Sequence, residues 1–401
     1  MNKRYFIQDF GLLNALGNNR DSVWANWQRG QAPGLECSDE FRPGRPCVLG
    51  RVTAELPAIA NALAIYQSRN NQLLAACYQQ IRPTVEALAG QFGTQRIGLV
   101  LGSSTSGIHR SEDAMQDWLR DGSHPPGYHF KQQEMGAGVD FLAALAGTAG
   151  PGITISTACS SSANAFATAR RLLDLDLCDA VIVGGADSLC RMTVQGFSAL
   201  ESVSDSICQP FSANRCGITI GEAVALFVLG REPLGDALEL YGVGCSSDAH
   251  HMSAPEPSGS GAVAAMQAAL AQSPFAAGDI SYLNLHGTAT PLNDAMESRA
   301  VAQLFGPALP CSSSKSLTGH TLGAAAATEL ALCCLLLRGD GRLPAQVWDG
   351  VYDDTLPRID IVSETRHLPA LDLCMSNSFA FGGNNTSLIV GKAYETIQHR
   401  R

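Results

Sequence analysis

Short apolar runs that end in glycine recur along this chain. "RIGLVLG" at 96–102, "GITIS" at 152–156 and "AVIVGG" at 180–185 are continuous rather than alternating, the pattern of strands buried on both faces. Between the last two, "SSANAFATARRLLDLDL" carries apolar residues at helical spacing, with Ala163, Phe166 and Ala167 on one side. Strand, helix and strand within about 35 residues make a βαβ unit with parallel strands. A second set follows: "ALFVLG" at 225–230, "YLNLHG" at 282–287, a long helix after Gly319 and "TSLIVG" at 386–391. The helical pattern "GAVAAMQAALAQS" lies among them. The spacing predicts an α/β protein in two halves of similar size, 1–235 and 236–401, with the seam in "REPLGDALEL". No low-complexity linker separates the halves, so they are expected to pack together. Identity between them is too weak to establish a repeat; the shared order of apolar strand, glycine turn and small-residue helix is what points to duplication.

Composition narrows the class. The chain has 401 residues, 45% of them hydrophobic and 16% charged, enough for a large core. No stretch of 18 uninterrupted apolar residues occurs, so no membrane span is expected; "LGAAAATELALCCLLL" is broken by Glu329 and reads as a buried helix. The N-terminal "MNKRYFIQDFGLLNALG" lacks a signal-peptide cleavage pattern, and a cytoplasmic location is expected. A formal charge of −10 argues against a nucleic-acid partner, and an acidic protein partner would need a local basic patch. The 13 cysteines include no C-x-x-C pair, so neither a zinc ribbon nor a redox dithiol is indicated.

One of those cysteines stands apart. In "ISTACSSSANAFATARRLL" Cys159 falls at a strand-to-helix junction among small hydroxyl residues. A helix N-terminus stabilises an anion, so the thiol is expected to be acidic and nucleophilic. Read alone, the same cysteine fits a filler thiol in a tight turn equally well. "NLHGTATP" places His286 at the end of an apolar strand, and "KSLTGHTLGAAAATE" places His320 after Gly319, at the start of an alanine-rich helix. Parallel sheets gather chemistry at the carboxyl ends of their strands, and three such ends offer Cys, His and His. No ligands fall at i, i+4 spacing, so no metal is expected. "SNSFAFGGNNTSLIVG" (376–391) is either a hairpin with core aromatics or a turn that aims a backbone N–H at a reacting oxygen.

Taken together, "STACSSSANAFATA", "AVIVGGADSL", "GCSSDAHHMSAPEP", "HGTATPLNDAMES", "KSLTGHTLGAAAATE" and "NSFAFGGNN" resemble, in order, the β-ketoacyl-[acyl carrier protein] synthases of the thiolase-like superfamily. The resemblance implies two duplicated halves stacked as five layers, αβαβα. It implies decarboxylative condensation of an acyl group with malonyl-acyl carrier protein, in fatty acid, polyketide or aryl-polyene synthesis. Residue by residue, it makes Cys159 the acyl-accepting nucleophile and His286 and His320 the pair that stabilises the enolate. Lys315 becomes the orienting lysine paired with Glu329. Phe381 becomes the gate, whose N–H joins that of Cys159 in the oxyanion hole. Thr288 and Thr290 would contact the phosphopantetheine arm, Asp294 and Glu297 would support the loop of His286, and Thr105 would limit chain length. Substrates ride on the carrier's arm, so no other cofactor is expected. The partners implied are acyl carrier protein and a second synthase-like subunit, as homodimer or heterodimer. Replacing either histidine is expected to slow condensation more than acyl loading.

Several departures from the family pattern bear on substrate choice, among them the lack of a glycine after Glu222 in "TIGEAVALF". Ala380 replaces a gate glycine and predicts a stiffer gate, Asn293 replaces a glycine, and Arg69 and Lys131 are the sparse candidates for a carrier-docking patch. The alternative within this fold is a non-catalytic chain-length-factor subunit, which Cys159 argues against.

Overall fold

The computed structural model describes residues 3–399. The runs at 97–102, 180–187 and 223–230 are strands with every residue buried, as continuous apolar patterning requires. Five strands form the first half, in the spatial order Gly152–Ile155, Ile97–Gly102, Ala180–Asp187, Ala223–Gly230, Phe6–Leu13. Numbered along the chain, that order is 3-2-4-5-1. Strand 2 is parallel to strands 3 and 4; strand 5 runs antiparallel to 4 and to 1.

The second half repeats the scheme. Its order is Pro310–Ser312, Tyr282–Asn284, Leu373–Phe379, Asn384–Gly391, Leu238–Ser247, again 3-2-4-5-1, with the same parallel and antiparallel pairings. A two-residue strand, Asp360–Ile361, adds to the outer edge. The two first strands meet where Phe6 and Ile7 pair with Glu239 and Leu238, which joins the halves into one eleven-stranded sheet. The duplication that identity could not establish is thus visible in topology.

Helices Ser161–Asp174 and Ala325–Arg338 lie between the halves and touch strands of both. The second is buried on nearly all sides, which explains why its sequence carries no polar stripe. Outer layers are formed by Arg69–Phe92 and Ala137–Ala146 on one side, and by Ser260–Leu270 and Pro291–Phe305 on the other. The result is the five-layered, thiolase-like αβαβα arrangement. Close approach fixes the small residues: a Cβ on Gly102 would overlap the backbone of Ser161 and Ser162 at the start of the middle helix. Among the described residues no helix is long and apolar enough to cross a membrane.

The N-terminal stretch is strand Phe6–Leu13, set between the halves. The "YLNLHG" strand is only Tyr282–Asn284, so His286 lies in the loop beyond it. The helix read as starting at Gly319 begins at Ala325, and His320 sits in a turn before it.

Candidate active site

Edge strand Gly152–Ile155 leads into a turn in which Ala158 is held at φ +50°, and the middle helix begins at Ser161. A non-glycine residue in the left-handed region is strained, and that strain turns Cys159 inward. Cys159 is 5% exposed. Its Sγ lies 3.0 Å from His320 Nε2. The backbone N–H groups of Phe381 and of Cys159 itself are directed at the sulfur.

The expected acidity of this thiol is overturned. Burial pushes it up to about 11, against the opposing pull of the Lys315 charge and the two N–H donors. A thiolate here loses the hydration it would have in water, and the helix end does not replace it. At rest the group is a thiol with a neutral imidazole beside it.

His320 is held by its own backbone: its N–H donates to Thr219 O at 2.6 Å, and its carbonyl accepts from Gly221 N–H at 3.0 Å. His286 is fixed from the opposite side. Glu297, on helix Pro291–Phe305, accepts from His286 N–H at 2.8 Å and from Gly287 N–H at 2.7 Å. The two imidazoles stand edge to face, with centroids 5.3 Å apart and an interplanar angle of 84°. One sulfur or nitrogen atom from each of Cys159, His286 and His320 lies within 4.8 Å of the others. Burial first, and then the nearby Lys315 charge, hold both imidazoles well below the ordinary histidine value, so both are neutral. These three atoms are also the group that could share a small cation; the 3.0 Å thiol–imidazole spacing is already that of a direct hydrogen bond.

Lys315, 1% exposed, donates to the carbonyl of His286 and pairs with Glu329, so sequence residues 286, 315 and 329 form one buried unit. Asp294 accepts from Phe211 N–H at 2.8 Å and from Ala289 N–H at 3.2 Å; Ala289 is itself left-handed, at φ +64°. Burial pushes Asp294 up to about 6, and Glu297 and Glu329 up to about 7.

A cavity of about 300 Å³ opens onto Cys159, His286 and His320. Thr288 and Thr290 line it, with hydroxyls 3.0 Å apart, and so does Phe381. Of the two sequence readings of 376–391 the hairpin is observed: strands Leu373–Phe379 and Asn384–Gly391 pair, and the turn between them directs the Phe381 N–H toward the Cys159 sulfur. The left-handed positions of that turn are Gly382 and Gly383, at φ +85° and +76°, so Ala380 occupies no position that requires glycine.

Thr105 is not part of this cavity. Its hydroxyl donates to Asp187 at 2.8 Å, and its N–H does so at 2.9 Å. Asp187, unnoticed in the sequence, also accepts from the hydroxyls of Ser103 and Ser104 and from Gly323 N–H at 2.6 Å, tying the 103–106 loop to the turn after His320. The only sequence signal was an acid closing a buried strand. Arg69 donates to buried Glu222 at 2.8 Å, and Lys131 is paired with Glu134 and Asp140, both at 2.7 Å. Both cations are neutralised within the chain and offer no free docking charge. Other lining residues that sequence reasoning passed over are Phe197, whose ring is 5.5 Å from that of Phe381, and Phe379, 6.2 Å from His286.

Comparison with known proteins agrees with this geometry. Residues 70–234 match the beta-ketoacyl synthase N-terminal domain and residues 238–347 its C-terminal domain. The 3-oxoacyl-[acyl-carrier-protein] synthase 1 of Haemophilus influenzae is 32% identical, over 96% of this chain and 98% of its own length. A solved structure of a ketosynthase (ApeO) in complex with its chain length factor (ApeC) from Xenorhabdus doucetiae is 48% identical, with TM-score 0.94 over 98% of each chain. A beta-ketoacyl synthase from Burkholderia phymatum is 27% identical, with TM-score 0.86 over 98% of this chain and all of that one. With a buried thiol, two neutral imidazoles and two backbone donors converging on one cavity in a thiolase-like frame, this chain belongs to the β-ketoacyl synthase family.

Proposed function

We propose that this chain accepts an acyl group on Cys159 and condenses it with malonyl-acyl carrier protein, giving 3-oxoacyl-acyl carrier protein and CO2. The observation that carries the reading is the Cys159 Sγ–His320 Nε2 contact of 3.0 Å, with a second neutral imidazole inside the same cavity. As the sulfur attacks the acyl thioester, its proton passes to His320 Nε2 and from there to the departing pantetheine thiolate. The tetrahedral oxyanion is met by the N–H groups of Cys159 and Phe381. In the second half-reaction malonyl loses CO2, and the imidazole N–H groups of His286 and His320 face the enolate oxygen. The enolate carbon attacks the Cys159 thioester carbonyl, the carbon–sulfur bond breaks, and the released Cys159 thiolate takes a proton from solvent to become a thiol again. Lys315 and Glu329 hold the carbonyl of His286, and Asp294 and Glu297 hold its loop. Thr288 and Thr290 meet the pantetheine arm at the cavity wall. No metal and no further cofactor is assigned a role.

The partners proposed are acyl carrier protein and a second synthase-like subunit. Edge strand Gly152–Ile155 supports the second: among the described residues its outer side is unpaired, and it leads directly to the nucleophile. The ketosynthase–chain length factor pairing named for the 48% identical relative favours a heterodimer over a homodimer. The test is intact-mass measurement of the purified chain after exposure to acyl-carrier thioesters. An acyl adduct absent from Cys159→Ala, and discharged by malonyl-carrier, is expected. An adduct that persists in Cys159→Ala refutes the assignment. Native mass, alone and with a co-expressed homologue, tests the pairing.

A further inference from the structure

Helix Arg191–Ala199 begins at Cys190, whose side chain makes no capping hydrogen bond. The cap comes from another element. Glu112, on helix Ile108–Asp121, accepts from Arg191 N–H at 2.8 Å with one carboxylate oxygen and from Met192 N–H at 2.6 Å with the other. A carboxylate on the exposed donors of a first turn satisfies them and matches the positive end of the helix. Two turns on, the same helix presents Phe197, whose ring rests against Phe381 with centroids 5.5 Å apart and an angle of 62°. Past its end, Leu200, Glu201 and Ser202 line the cavity of Cys159, with Glu201 left-handed at φ +52°.

Both helices are otherwise lightly anchored. Arg191–Ala199 buries only Thr193 and Val194, with Gln195 Nε2 donating to Phe41 O at 3.0 Å. Ile108–Asp121 buries only Ala114. Beside the cap, Asp113 meets Arg191 at 3.3 Å and His109 lies 3.8 Å from Glu112.

We propose that Glu112 is a positioning residue for acyl transfer: by capping helix Arg191–Ala199 it fixes the Phe197 wall against which Phe381 rests, and so the Phe381 N–H beside the Cys159 sulfur. This rests on the synthase reading above, with Phe381 as gate and oxyanion donor. Glu112 touches no reacting atom; it acts through Phe197 and Phe381. Its loss therefore falls on acyl transfer, which uses the Phe381 N–H, and not on malonyl decarboxylation, which uses the imidazoles.

The test compares the full-length wild type with Glu112→Ala, Phe197→Leu, the double variant and Asp113→Ala. Two quantities are measured: acyl loading by intact mass against acyl-carrier concentration, and CO2 release from malonyl-carrier. Glu112→Ala is expected to lower the loading rate constant roughly three- to tenfold, the effect of one lost helix cap, with CO2 release unchanged. The double variant should load no more slowly than the worse single one. Asp113→Ala, which removes a neighbouring charge and leaves the cap, should load like wild type. Wild-type loading by Glu112→Ala, an equal fall in both half-reactions, multiplicative losses, or an equal effect of Asp113→Ala each overturns the proposal. If Glu112→Ala does not fold, Glu112→Gln, which keeps one acceptor oxygen, must show the same selective loss or the proposal falls. A wild-type chain that takes no acyl group overturns the synthase reading, and this inference with it.

Discussion

In the proposed reaction the protonation state of Cys159 decides how acyl transfer is catalysed. With its thiol pushed up to about 11, the ionised fraction at pH 7 is about one part in ten thousand, against about one in a hundred at the ordinary value of 9.0. A reagent that needs a free thiolate should therefore find this residue sluggish. Iodoacetamide alkylation of Cys159, followed by intact mass under pseudo-first-order conditions, is expected to accelerate about tenfold per pH unit from pH 7 to 10, with no plateau. Acyl transfer from a carrier thioester should escape this penalty, because His320 Nε2, 3.0 Å away, takes the proton as the sulfur attacks. Replacing His320 by Ala should then slow acyl loading by roughly 100- to 10,000-fold, while alkylation at pH 10 changes little. A plateau in the wild-type alkylation rate between pH 6 and 8 would show a preformed thiolate and refute the reasoning, as would normal acyl loading by His320→Ala.

Other outcomes follow from the same geometry. His286 does not share the thiol's hydrogen bond, so His286→Ala should lower condensation far more than acyl loading, whereas His320→Ala should lower both; single-turnover mass measurement separates them. This revises the expectation that the histidines behave alike. Glu329→Gln leaves the Lys315 ammonium, 1% exposed, without its counter-charge and should destabilise the fold by about 3–5 kcal/mol in urea unfolding; a change under 1 kcal/mol would mean the pair is solvated. Burial raises Glu297 from 4.5 to about 7 in the folded state, so its contribution to stability is fully present below about pH 4.5 and is lost as pH rises through 7. Wild type should lose roughly 3 kcal/mol relative to Glu297→Gln between pH 4.5 and 8, and parallel stability–pH curves would contradict this.

Much of the architecture was legible because burial writes itself into composition. Strands buried on both faces must be continuously apolar, and Ile97–Gly102, Ala180–Asp187 and Ala223–Gly230 all show it. Strand Phe6–Leu13 was not legible: Gln8 and Asp9 interrupt its pattern, and its place depends on pairing with residues more than 200 positions away. The element boundaries around the histidines were also misplaced, because glycine and small residues in these turns carry no periodicity.

The sequence alone determined which side chains could do chemistry. Cys159, His286 and His320 each follow an apolar run or a glycine turn, and topology brings such ends to one place. Phe381 was singled out by the family resemblance; the glycine pair beside it marked only a turn. Tertiary structure decided the rest. That Cys159 is a protonated thiol, that Thr105 serves Asp187 and that Arg69 is spent on buried Glu222 all depend on desolvation or on partners remote in sequence. An ionisation state or a free charge is a property of surroundings, and a linear pattern does not specify its own dielectric.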